Sequence, residues 1–188
     1  MNQKLAMAKN SIPRKSKRSL TIIDLNLIKR IYENKTMTAK RVHRDLFPHR
    51  SLNSVQKRIT FLRKNGHIKA TGFLENFSEP VYSISKRSFN NYVDYHNNEF
   101  RSQLKSGCIV HDLTLADIRY RFTHLKTFKE YYTENILYHH DHIEDLNVEE
   151  LLSVVRPDGI LSLNTENGIC NMAIEYEHTV KSKNRYIN

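Results

Sequence analysis

Three carboxylates near the end of the chain have the types and spacing to work on a phosphodiester. Asp158 follows Pro157 at the mouth of one apolar segment, Gly159-Ile160-Leu161-Ser162-Leu163. A second apolar segment, Ala173-Ile174, runs into Glu175 and Glu177. If the two segments pair as strands, the three acids can converge at one sheet edge. Glu175 and Glu177 then share a face, because strand side chains alternate. Clustered carboxylates repel one another unless a cation sits between them, and Mg²⁺ and Mn²⁺ prefer oxygen ligands. Such an ion would activate water for attack on phosphorus. Asp158, Glu175 and Glu177 are therefore the candidate metal ligands and catalytic carboxylates.

Pro157-Asp158, Glu175-x-Glu177 and Lys181-Ser182-x-x-Arg185-Tyr186, in that order, resemble the signature of the MOBC class of plasmid mobilisation relaxases. They also resemble the broader replication-relaxation family, which shares a PD-(D/E)XK nuclease-like core. The resemblance implies an α+β chain: an N-terminal winged helix-turn-helix, then a PD-(D/E)XK nuclease-like α/β domain. It further implies Mg²⁺ or Mn²⁺, nicking of double-stranded DNA at a plasmid or mobile-element origin, and other relaxosome or mobilisation proteins as partners. The family's usual lysine position is held here by Glu177. Lys181, at the start of an expected helix, is placed to bring its ammonium to the same space and neutralise charge on the phosphorane. Arg185 would grip a neighbouring phosphate. Tyr186 is either a nucleophile or a supporting side chain. Nuclease-like cores normally continue with a helix and further strands, whereas this sequence ends two residues after Tyr186; the core is then naturally short, cut back, or completed by a partner subunit. Glu177 and that short end support an alternative: a non-catalytic repressor or accessory factor with a degenerate nuclease-like domain. The plainest reading of the same stretch is a hairpin with surface charges and a polar tail.

The elements that must position these groups follow from charge and periodicity. The net charge is +10 over 188 residues. Residues 1–74 hold eighteen Lys and Arg against three acids, whereas residues 75–188 hold twelve against seventeen. A basic half joined to a carboxylate-bearing half is what a DNA-processing protein requires. No window is apolar for long enough to span a membrane, and Met1 to Leu20 lacks the apolar core of a secretory signal. Two widely separated cysteines, Cys108 and Cys170, point to a reducing, cytoplasmic compartment, with each thiol expected to be buried. Nothing in the sequence decides the oligomeric state.

Residues 1–19 form an expected flexible arm, with Arg14, Lys15, Lys17 and Arg18 as candidate phosphate contacts. A DNA-binding domain is expected over residues 20–85. Ile23, Leu27 and Ile31 recur four apart, predicting a helix that starts at Ser19 and stops near Asn34. A second helix is predicted after Thr38, with Ala39, Val42 and Leu46 inward. A third starts at Ser51, with Leu52, Val55, Ile59 and Leu62 inward and Asn65-Gly66 as its stop. Strand-like pieces follow at Ile68 to Phe73 and Val81 to Ile84. Three helices and a hairpin make a winged helix-turn-helix, whose third helix enters the major groove. On that helix Asn53, Gln56, Lys57, Thr60, Arg63 and Lys64 form the outward face, with side chains able to reach bases or phosphates.

Residues 86–110 read as a connector, helical to about 105, and 111–188 as the nuclease-like domain. His111 opens a predicted helix and is a supporting residue by the same resemblance, although a histidine at a helix start is more often structural. Ile136-Leu137-Tyr138 reads as a strand entering His139-His140-Asp141-His142. That cluster resembles the paired histidines of HUH endonucleases, but Asp141 stands where those enzymes carry a bulky apolar residue. Loop histidines are the default there.

Overall fold

The protein, described from a computed structural model over residues 19–74, 77–93, 106–137 and 157–177, is a mixed α+β chain with two small antiparallel sheets. The first half runs α1 (Ile22–Glu33), β1 (Met37–Thr38), α2 (Ala39–Leu46), α3 (Leu52–Lys64), β2 (Ile68–Leu74), β3 (Phe77–Ile84) and α4 (Lys86–Tyr92). The helices fall where apolar spacing predicts them. Leu27, Ile28 and Ile31 from α1, Val42 from α2, and Val55, Ile59 and Leu62 from α3 close one core with Ile68 and Ile84. Each such side chain contributes roughly 1.5–3 kcal/mol by leaving water.

Hydroxyl caps set the helix starts. Thr38 accepts the Arg41 N–H at 3.4 Å, and Ser51 accepts that of Ser54 at 3.2 Å. A serine or threonine oxygen here satisfies one of the first-turn donors that lack a helical partner. Gly66, at φ 74°, carries the chain out of α3 through the left-handed region that glycine enters freely. The sheet has the order β1-β3-β2, with Met37 opposite Tyr82 and Ile68 opposite Ile84.

Two expectations change in this half. The two-residue strand β1 was not predicted, being too short for any periodicity to mark it. The start of the expected connector belongs to the first core instead: Phe89 of α4 is buried and its ring lies 5.5 Å from that of Tyr32.

The second half runs α5 (Ile109–Phe122), β4 (Phe128–Thr133), α6 (Glu134–Leu137), β5 (Gly159–Thr165) and β6 (Gly168–Ile174). Its sheet has the order β4-β5-β6. Leu113 and Ala116 of α5 are buried with Tyr131, Ile160 and Leu161. The two apolar segments of the sequence do pair, with Gly159 opposite Ile174. Ile136 and Leu137 lie in the short helix α6, not in a strand, because the chain turns at the sheet end. There the Glu134 N–H donates to the Asp158 carbonyl at 3.1 Å, and Asn135 is held by Tyr32. Cys108 and Cys170 are free and exposed, contrary to the expectation of buried thiols. Cys108 precedes α5 and Cys170 sits on β6, a strand exposed along almost its whole length.

The halves meet through polar side chains. The Tyr32 hydroxyl donates to the Asn135 carbonyl at 3.2 Å, and the Asn135 side-chain amide returns a bond to the Tyr32 carbonyl at 2.7 Å. Arg119 donates to Glu33 at 2.9 Å, and Asp117 receives Arg41 and Arg44 of α2.

Candidate functional site

The outward face of α3 is built by exclusion. Val55, Ile59 and Leu62 turn into the core, which leaves Asn53, Gln56, Lys57, Thr60, Arg63 and Lys64 exposed together. Arg58 does not join them. It bends to α1 and bonds both carboxylate oxygens of the fully buried Asp24, its guanidinium resting 4.7 Å from the Phe61 ring centre. Burial pushes the Asp24 carboxyl up, but hydrogen bonds from Arg58 and Thr21 outweigh it and hold the group below the usual carboxylate range. The hairpin β2–β3 follows α3 directly and exposes Lys69 and Phe73. Arg14, Lys15, Lys17 and Arg18 lie outside the described residues.

At the other candidate site, the Asp158 carboxylate lies where β5 begins. Its Oδ2 accepts the Tyr176 N–H at 2.7 Å and stands 3.3 Å from His111 Nε2. The same ring nitrogen is 2.9 Å from the Tyr176 carbonyl, while Nδ1 is 3.3 Å from Asp112 Oδ1. His111, in the first turn of α5, thus bridges two aspartates. The side chain of Asp158 takes the place of a backbone acceptor for Tyr176, and the strand ladder stops there. Strand β6 ends at Ile174, so Glu175 and Glu177 lie beyond it, one exposed and one half-buried, rather than side by side on a strand face.

Among the described residues, no group of three or more His, Cys, Asp or Glu side chains has an arrangement that could hold a metal ion. Asp158, Glu175 and Glu177 are thus not gathered into a three-carboxylate cluster in this arrangement. Lys181, Arg185, Tyr186 and the cluster from His139 to His142 lie outside the described residues.

Next to Asp158 is a cleft that the sequence did not reveal. It is lined by Lys35, Asp112, Tyr131, Thr133 and Glu134, from both halves of the chain. Lys35 has φ 58°, a left-handed conformation uncommon for a residue with a side chain, and its ammonium pairs with Glu134 and lies 3.9 Å from Asp112. Asp112 Oδ2 and the hydroxyls of Tyr131 and Thr133 are buried without a hydrogen-bond partner among the described residues. Burial pushes the Tyr131 phenol up to about 12; nearby Arg119 opposes this and Asp158 adds to it. The adjacent pair His111-Asp112 was the one available signal, since an acid in a first helical turn is favoured by the helix dipole. Nothing in the sequence marked Lys35 or Thr133.

No family model matches the chain, and no curated protein or solved structure is significantly similar to it.

Proposed function

We propose that the protein binds double-stranded DNA at specific sites through a winged helix-turn-helix spanning residues 20–85. One observation carries this reading: every side chain on the outward face of α3 that could meet a base or phosphate is exposed, on a helix that follows α2 and precedes a two-stranded wing. In that arrangement the second helix of the pair lies in the major groove while the first crosses the backbone. Arg63 pairs with guanine, Gln56 and Asn53 with adenine, and Lys57 and Lys64 meet phosphates. The charge of residues 1–74 supplies the sequence-independent attraction. A site-selection experiment from a random duplex pool tests this. The full chain enriches a defined sequence, and Arg63→Ala or Gln56→Ala relaxes the preference at one position each. Enrichment of no sequence, or a preference indifferent to both changes, rejects the reading.

Relaxase-like nicking is the second reading, favoured by the juxtaposition of Asp158 and His111 beside a polar cleft. It assigns catalysis to Asp158, with Glu175, Glu177 and Lys181, at a mobile-element origin. Supercoiled cognate plasmid incubated with Mn²⁺ or Mg²⁺ becomes open circles with wild type and not with Asp158→Ala. Persistently supercoiled plasmid leaves a DNA-binding repressor or accessory factor.

A further inference from the structure

We propose that the groove between α2 and α5 is a second phosphate-binding surface, along which a DNA backbone continues from α3 onto the second half of the chain. The proposal rests on the DNA-binding reading and extends it. Lys40, Arg41 and Arg44 of α2 form one wall, and Tyr120 and Arg121 of α5 form the other. Four cationic side chains thus face a lining that includes only Glu79 and Asp117 as acids.

The acids hold the arginines in place. Asp117 accepts Arg41 Nε at 3.0 Å and Nη2 at 2.6 Å, and Arg44 Nη1 at 2.6 Å. Arg44 is fixed further by Asp45 at 2.7 Å and by the Tyr120 ring, 4.0 Å from its guanidinium carbon. Burial lowers the Arg44 pKa, but its bonds to Asp45 and Asp117 outweigh this and keep the group firmly cationic. A planar guanidinium already oriented loses less freedom when it meets a phosphate. Arg44 Nη2 is buried and has no hydrogen-bond partner among the described residues, so it braces the groove and leaves contact to the outer cations.

The outer cations are the ones free to engage. The Lys40 side chain is 68 % exposed and only loosely paired with Glu79, at 3.8 Å. Arg121 is exposed and has no carboxylate partner among the described residues. Lys40 and Arg44 are four apart and share a face of α2. This is also the helix that crosses the backbone when α3 occupies the major groove. A row of cations on two walls suits a repeating polyanion better than a single small anion.

The test is binding of the full chain to a duplex that extends a helical turn beyond the selected site on each side, over a range of salt concentrations. Lys40→Glu and Arg121→Glu are compared with wild type and with Arg63→Ala. Lys40→Gln and Arg121→Gln serve where a glutamate variant does not fold. Each groove variant weakens cognate and random duplex by the same factor. The Gln variants lower the log-log salt slope by ~0.9 for each phosphate no longer neutralised. Unchanged affinity and slope in the groove variants, with Arg63→Ala still relaxing sequence preference, overturns the groove and leaves α3 recognition standing. Absence of wild-type binding overturns both.

Discussion

Asp24 offers its carboxylate to donors from its own turn and from another helix. Its Oδ2 accepts the Thr21 N–H at 2.7 Å and the Thr21 hydroxyl at 2.8 Å, while Arg58 closes on both oxygens. Breaking such a pair leaves a charge without its partner and also removes the helix cap. Asp24→Ala should therefore cost about 3 kcal/mol of stability, measured by urea unfolding. The group titrates below the usual carboxylate range when folded. Its contribution is thus full above the ordinary carboxylate pKa of ~3.9 and is lost as pH falls through the lower folded value. The stability gap between wild type and Asp24→Asn should narrow on acidification below that point. A gap unchanged down to the acid limit would show that Asp24 is not held as a carboxylate. Asp24 falls inside the helix that the Ile23, Leu27 and Ile31 spacing predicts, but Arg58 is not legible as its partner, because the pairing depends on how α3 crosses α1.

Elements were legible to different degrees for physical reasons. Helices α1, α2 and α3 carry a 3.6-residue apolar pattern, and α2 and α3 also carry hydroxyl caps that mark their starts. Helix α1 begins at Ile22 rather than at Ser19, where several hydroxyls precede the stripe. The pairing of β5 with β6 was legible from two apolar runs about a polar turn. Strand β1 has two residues and exists only because β3 offers it an edge. Helix α6 was read as a strand because its apolar pair Ile136-Leu137 is too short to show a period. The sheet end is equally a product of tertiary contact. At Gly159 an added Cβ would lie 2.5 Å from the Tyr131 hydroxyl and 2.8 Å from the Tyr132 carbonyl. Gly159→Ala should force β4 and β5 apart and destabilise the protein by roughly 1–3 kcal/mol. A thermal melt unchanged by this substitution would contradict the close approach of Tyr131.

On the scale of the whole molecule, the sequence's charge asymmetry becomes a set of ion pairs across the junction. Arg119 meets Glu33, Lys35 meets Glu134, and Asp117 receives two arginines. Burial raises the Asp117 carboxyl, but Arg41 and Arg44 outweigh it and hold it below the usual range. The halves should unfold together. Calorimetric and van't Hoff enthalpies should agree for wild type, whereas Asp117→Ala combined with Glu33→Ala should split the transition. One unsplit transition in the double variant would show that the ion pairs do not couple the halves. None of these partners was legible in advance, since they lie far apart in sequence and depend on the docking of α5 against α1 and α2. The α+β class and the basic character of the first half were legible. The expected cluster of Asp158 with Glu175 and Glu177 is not seen among the described residues, where the Asp158 side chain bonds the Tyr176 N–H and the strand ends at Ile174. The central claim is that α3 is the face that meets DNA. Its most direct test is fluorescence anisotropy of a labelled cognate duplex titrated with the full chain and with Lys57→Glu/Arg63→Glu/Lys64→Glu, whose side chains are exposed and whose fold melting can verify. The account predicts salt-sensitive binding by wild type and its loss in the charge-reversed chain at unchanged melting temperature. Equal binding by the two chains would contradict it.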